Sequence, residues 1–351
     1  MDVPGLPGRP IPPCVHCLAP FCNPRHNQAV AGGGEWKGGD HSSAVREYYE
    51  SNTRLFLALG IGRRTLAIRR AVWAEGVGSL EEAVNYVNSQ VAAAAMSSAG
   101  AKQDGELRIL DIGCGVGGSL LFLARAVDAP LRGIGVTISP RQAEIARRQA
   151  RIRGLSARCS FIAADFARLT GLPLFHLAFA IESFVHFADP AEFFAAAAQA
   201  IVPGGQLIVI DDFLAGERRS PKERRLVDAF RHGWLLPSLS TVHRTVDVGA
   251  GCGMRLVEDR DLSVFLSKPA RSRMKPARSR MKPASSRMTG WAAQVMRALP
   301  VPWQYWRSTV GSLALAACRR EGLVEYHFLL FEKQGTAPRN PPGTRVRGTS
   351  A

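Results

Sequence analysis

The chain has 351 residues, is 46% hydrophobic and carries a net charge of +16, which allows one large domain, or one domain with extensions, around a buried core. It contains no run of roughly eighteen or more apolar residues, and its N-terminus is Gly/Pro-rich rather than basic and then apolar, so neither a membrane-spanning helix nor a signal peptide is expected. The seven cysteines are scattered, and Cys114, Cys159, Cys252 and Cys318 fall singly in segments that read as core. That pattern suits a reducing cytoplasm better than a disulfide framework.

Residues 1–40 lack any apolar period and read as a disordered extension. Within them Cys14, Cys17, Cys22 and His26 form C-x2-C-x4-C-x3-H, which resembles a zinc knuckle in a different ligand order. It reads as a chance cluster, and no bound metal is expected. From Val45 to about Val91 the pattern is helical, with Tyr48, Tyr49, Leu55, Phe56, Leu59, Ile68, Val72 and Trp73 on apolar faces. Residues 41–100 therefore read as an N-terminal helical cap.

Short apolar runs near 107–112, 131–137, 159–164, 176–181 and 206–211 alternate with helical segments. This predicts a mostly parallel sheet with right-handed crossovers. The helix after the second run has Ser139 as N-cap, Pro140 at its first position, Gln142 to complete a capping box and Gly154 at its stop. A charged helical stretch through about Leu239 reads as an inserted lid, and runs near 255–263 and 324–332 as a final strand pair that closes the sheet. The domain is set at 101–334, with 335–351 as a disordered tail.

Between that last pair lies a seven-residue repeat. Lys268–Met274 and Lys275–Met281 are identical, and Lys282–Met288 differs at one position. A proline in each copy and the lack of an apolar seam exclude a coiled coil and predict an extended basic insertion. Its eight Lys and Arg residues supply half of the net charge. The rest of the chain is only moderately basic, which argues against nucleic acid as a partner and leaves 268–288 as the one segment suited to weak contact with an anionic membrane.

The segment LRILDIGCGVGGS, Leu107–Ser119, runs from an apolar strand through Asp111 to Gly113, Gly115, Gly117 and Gly118 and into an apolar helix. Glycines allow a tight turn and close backbone approach to a ligand, and the helix N-terminus adds free N–H groups. Gly113, Gly115 and Gly118 also fit the dinucleotide pattern G-x-G-x-x-G. The acid two residues before the first glycine and the G-C-G-x-G-G form, however, resemble the first motif of class I S-adenosylmethionine-dependent methyltransferases more closely. The segment GVTISPRQ, Gly135–Gln142, and the cap with its Tyr48-Tyr49 run are similar to the tocopherol, sterol and cyclopropane-fatty-acid methyltransferase group. The resemblance extends over about residues 45–334.

That resemblance implies an α/β, Rossmann-like class I methyltransferase fold with a mostly parallel seven-stranded sheet, and S-adenosyl-L-methionine as cofactor. It also implies that Gly113, Gly115 and Gly117 hold the methionine part and that Asp111 places its ammonium. Many such enzymes have a ribose-binding acid at the end of the second strand, where this chain has Thr137, so Thr137 and Gln142 are expected to share that work. Gln142 is equally explained by the capping box. In FIAADF the resemblance sets Asp165 at the adenine amino group and Phe166 beside the ring, while Asp165 also reads as a turn or N-cap residue.

The fourth run leads into Glu182, Ser183 and His186, which should face the transferred methyl because open parallel sheets bind ligands beyond the carboxyl ends of their strands. Glu182 and His186 are the expected catalytic pair, as cation-stabilising carboxylate or proton acceptor. Asp212, His232, Trp234 and His243 are secondary candidates around the pocket. Trp291, Trp303, Tyr305 and Trp306 are suited either to an apolar wall or to packing. The expected acceptor is a small, largely apolar molecule such as an isoprenoid or prenylated ring, with carbon methylation first and oxygen methylation second. An RNA methyltransferase and a non-catalytic binding protein on the same scaffold are the rival readings.

Overall fold

The structure, a computed structural model, describes residues 41–59, 65–66, 69–100, 105–268 and 303–335. The N-terminal extension with its Cys14/Cys17/Cys22/His26 cluster, the repeat beyond Lys268, Trp291 and the tail past Gly335 lie outside the described residues. Two cap helices, α1 (His41–Leu59) and α2 (Leu80–Gly100), precede an alternating unit. That unit consists of β1 (Leu107–Ile112), α3 (Gly118–Ala126), β2 (Leu131–Thr137), α4 (Pro140–Ile152), β3 (Cys159–Ala163), β4 (Phe175–Ile181), α5 (Pro190–Ala200) and β5 (Ile201–Leu214). Then come α6 (Pro221–Trp234), α7 (Val242–Gly251), β6 (Met254–Asp261), α8 (Trp303–Arg320) and β7 (Val324–Lys333).

The seven strands lie in the order β3-β2-β1-β4-β5-β7-β6. The first five are parallel, and β7 runs antiparallel between β5 and β6. Two-residue periodicity divides the strand side chains between two apolar layers. Leu110, Ile112, Ile134 and Val136 pack with Phe193 and Phe194 of α5, Phe230 of α6 and Leu315 of α8. On the other face Leu107, Ile109 and Leu131 pack with Val87 and Val91 of α2, Leu120 and Leu123 of α3 and Ala146 of α4. The outermost strand, β6, alternates in exposure and carries Arg255, Glu258, Asp259, Arg260 and Asp261, with Glu258 and Arg260 paired at 2.8 Å. Among the described residues no helix is long and apolar enough to cross a membrane.

Two details of the sequence reading are corrected. Val72 and Trp73 do not lie on a helix, because residues 69–79 are irregular. The buried Val72 donates its N–H to the Ala83 carbonyl and Trp73 donates to that of Phe265, so tertiary partners replace helical ones; Ile68 is outside the described residues. The capping box at α4 is half formed. Ser139 Oγ accepts from Gln142 N, but the Gln142 side chain turns away to Thr137 and Thr53.

Thr65 and Leu66, which precede the irregular segment, form a roof over the start of α3. A Cβ on Gly118 would lie 2.6 Å from the Leu66 carbonyl oxygen and 2.9 Å from that of Thr65, so only glycine admits the roof. Gly118→Ala is therefore expected to lower stability by about 1–3 kcal/mol through overpacking, read as a lower urea midpoint. Gly216→Ala, where an added Cβ meets nothing within 4 Å, serves as control and should stay within roughly 0.5 kcal/mol of wild type.

Candidate active site

The strand order reverses between β1 and β4, and a crevice opens there beyond their carboxyl ends. Ser183, just past β4, donates its Oγ–H to the Ile112 carbonyl at 2.6 Å, and a Cβ on Gly113 would sit 2.4 Å from Ser183 Cβ. Gly113 and Gly115 have φ of 78° and 53°, in the left-handed region that glycine adopts without strain. A Cβ on Gly115 would project into open space. Gly113, Gly115, Asp111, Thr137, Gln142, Asp165, Phe166, Glu182 and His186 line one cavity. Gly117 does not. Its φ is 84° and a Cβ there would strike the Phe161 ring at 2.7 Å, so it serves the turn and its packing rather than the cavity wall.

On the β1 side Asp111 is buried, and among the described residues its Oδ2 has no hydrogen-bond partner. Burial raises its pKa to about 7, against the pull of the Arg69 guanidinium. Arg69, which the sequence reading missed, also lines the cavity. Its Nη1 donates to Asn88 Oδ1 at 2.7 Å and Ser119 Oγ at 2.9 Å, while its buried Nε has no partner among the described residues. An unpartnered carboxylate oxygen and an unpartnered guanidinium N–H beside a bare glycine turn match the ammonium and carboxylate of an amino-acid moiety. These residues fit the methionine end of S-adenosylmethionine.

Thr137 and Gln142 are both buried. Thr137 Oγ1 donates to Gln142 Oε1 at 2.7 Å, and Gln142 Nε2 donates to Thr53 Oγ1 of α1 at 3.2 Å. They thereby tie the cap to the end of β2 while forming part of the wall. Glu50 reinforces the tie by accepting from Ser139 Oγ and from Arg141 N. Asp165 lines the cavity and also caps the turn that follows it, accepting Ala167 N at 3.2 Å through Oδ1 and Ser42 Oγ at 3.0 Å through Oδ2. The Phe166 ring packs edge-on against Phe187 and Phe193.

On the β4 side Asp211 of β5 accepts the Val185 N–H at 3.2 Å and steadies the short turn that carries His186. Burial, and then Asp212, push Asp211 up to about 8. His186 Nδ1 lies 3.2 Å from the Leu235 carbonyl and Nε2 lies 2.9 Å from Tyr49 Oη. A carbonyl can only accept, so Nδ1 carries the proton and Nε2 accepts from Tyr49. Burial, chiefly, lowers the His186 pKa to about 4, which leaves the ring neutral near pH 7. Tyr49, another wall residue missed as a site residue, comes from the cap.

Glu182, one of the expected catalytic pair, has its carboxylate engaged by other residues. Its Oε1 accepts from Arg70 N at 3.1 Å and Tyr326 Oη at 3.0 Å, and it lies 3.7 Å from Arg70 Nη1. Asp212 is buried beside this group, 2.5 Å from Arg70 Nη2 and 3.4 Å from Arg319 Nη2. The other secondary candidates do not line this cavity: His232 is exposed, His243 pairs with Asp247 on the surface, and Trp234 packs on Tyr48. The side chains of Trp303, Tyr305 and Trp306 lie outside the described residues. Val45, Leu66, Ile138, Ile181, Phe187 and Ala188 supply the apolar walls.

A family profile described as "Methyltransferase domain" matches residues 109–205. Methyltransferase GfsG of Streptomyces halstedii is 32% identical over 178 residues, which are 50% of this chain and 60% of that relative. The chloroplastic tocopherol O-methyltransferase of Arabidopsis thaliana is 32% identical over 140 residues, 37% of this chain and 39% of the relative. The matches thus span less than two thirds of either protein. The cyclopropane synthase MmaA2 of Mycobacterium tuberculosis shares the fold, with a TM-score of 0.61 at 19% identity over 85% of this chain and 100% of that one.

The raised pKa of Asp111 leads to a measurable linkage. A ligand ammonium favours the carboxylate and lowers its pKa on binding, so a proton leaves where the free protein is still protonated. Titration calorimetry with S-adenosylhomocysteine in buffers of different ionisation enthalpy, at about pH 6.5, should show proton release, and affinity should rise with pH through about 7. Asp111→Asn should abolish both effects.

Proposed function

We propose that this chain is a class I S-adenosylmethionine-dependent methyltransferase, of the group that includes the tocopherol, sterol and cyclopropane-synthase enzymes, and that it methylates a hydroxyl of a small, largely apolar acceptor. When bound, the cofactor supplies an electrophilic methyl on a sulfonium, which moves by in-line displacement. Arg69 and Asp111 anchor its amino-acid end against Gly113 and Gly115, and Asp165 and Phe166 receive its adenine end. The acceptor lies across the β4 side, against Tyr49, Ile181 and Phe187.

The observation that carries the choice of oxygen is the Tyr49–His186 pair. A neutral imidazole with its Nδ1 proton held by Leu235 keeps an unprotonated, hydrogen-bond-accepting nitrogen directed at a phenol that itself lines the cavity. As the acceptor oxygen attacks the methyl, its proton passes to Tyr49 Oη while the Tyr49 proton passes to His186 Nε2. Carbon methylation would draw instead on a carboxylate free to stabilise a cation, and the Glu182 charge is already committed to Arg70. The sequence preference for carbon is accordingly reversed in this proposal. Apolar walls favour an isoprenoid-like or prenylated acceptor over RNA, and scattered thiols favour a cytoplasmic setting. The eight basic residues of the repeat 268–288 suit it to weak contact with an anionic membrane.

Mass spectrometry of cell extracts incubated with the protein and methyl-labelled cofactor should yield a labelled methyl ether. His186→Asn and Tyr49→Phe should each lower kcat by roughly a hundredfold or more without weakening S-adenosylhomocysteine binding. A product with the labelled methyl bonded to carbon, or wild-type turnover in both variants, would overturn the oxygen assignment. Lack of binding by the wild-type protein would overturn the enzyme reading itself.

A further inference from the structure

We propose that Glu182 is a positioning residue for the cofactor, acting through the Arg69–Arg70 peptide rather than on the acceptor; this rests on the methyltransferase reading above. Glu182 has a φ of 51°, a left-handed backbone that a side-chain-bearing residue rarely adopts. What accompanies the strain is the grip of its carboxylate. One oxygen takes the Arg70 backbone N–H and the Tyr326 hydroxyl and faces the Arg70 guanidinium, which also pairs with Asp212 and lies over the Tyr326 ring. The antiparallel entry of β7 brings Tyr326 here, since it is in register with Asp212 at the carboxyl end of β5.

The N–H that Glu182 holds belongs to the peptide linking Arg69 to Arg70. Arg70 extends toward Glu182 and Asp212, whereas Arg69 extends to Ser119 and Asn88 beside Asp111. Fixing one peptide therefore fixes where the cofactor-facing guanidinium can reach. Leu66, in the roof that precedes this peptide, also has a positive φ of 55° and rests on the bare Gly118. The chain is thus held from below at Leu66 and from the side at Arg70. An acid at the end of β4, on the acceptor half of the cavity, determines the donor geometry of the cofactor half.

The test is a binding cycle on the full chain, with S-adenosylhomocysteine affinity read by calorimetry. Glu182→Gly should weaken binding by roughly tenfold or more, whereas Glu182→Gln, which keeps an acceptor for the Arg70 N–H and the Tyr326 hydroxyl, should restore most of the affinity. At saturating cofactor the Glu182→Gly turnover should stay within about threefold of wild type, since an excess of cofactor offsets a loss confined to its binding. Combined with Arg69→Ala, Glu182→Gly should cost no further affinity, because the two act through one contact. Glu182→Asp tolerates the left-handed backbone better than most residues and falls one methylene short of Arg70. It repeats the cycle if the glycine variant does not fold. Additive losses, or intact affinity with turnover reduced a hundredfold, would overturn the proposal and return Glu182 to the acceptor chemistry. Absence of binding in the wild type would instead remove the cofactor reading on which the proposal stands.

Discussion

The close approach of two strand ends governs the site. β1 and β4 are adjacent, and their chains diverge just where Gly113 lies against Ser183 and the Ser183 hydroxyl bonds the Ile112 carbonyl. A side chain on Gly113 would force that contact apart, and the crevice between the two halves of the sheet would lose its floor. The bond turns a topological reversal, which any doubly wound sheet possesses, into a fixed spacing between the Asp111 and Arg69 groups on one side and the Tyr49–His186 pair on the other.

Each half then draws on the cap differently. The β1–β3 half holds α1 through Gln142, Thr53, Glu50 and Ser139. The β4–β7 half holds the segment after α1 through Glu182 and Asp212, and receives Tyr49 through His186. Buried polar contacts of this kind are costly when unpaired and directional when paired. The cap is therefore held by hydrogen bonds as well as by the apolar contacts of Val45, Tyr48, Val87 and Val91, and it is the cap that brings Tyr49 and Arg69 to the cavity.

The strands were legible because β-branched and leucine-rich runs bounded by glycine and polar residues have no competing pattern. β1 and β2 match their expected limits, and α4 matches because a serine, a proline and a glycine mark its ends. The full length of β5, fourteen residues, was not legible: the apolar run marks a strand near 206–211, while Ile201 joins the pairing with β4 across a register shift. Arg69 and Tyr49 were missed as site residues for a different reason. Nothing local distinguishes a cap arginine that faces a cavity from one that faces water, and only the fold of residues 69–79 onto α3 makes the difference. Glu182 illustrates the converse: its position at a strand end was correctly read, but the partner that occupies its carboxylate comes from 112 residues earlier in the chain.

The row of charges along β6 bears on how copies of this chain meet. A sheet margin with open N–H and C=O groups is a template for another strand, and a partner laid against it would have to bring its own side chains beside Arg255, Glu258, Asp259, Arg260 and Asp261. With acids and bases interleaved there, an apolar neighbour would strip water from each of them without return. The margin is thereby guarded against runaway stacking of one molecule on the next, with the two apolar layers kept behind it.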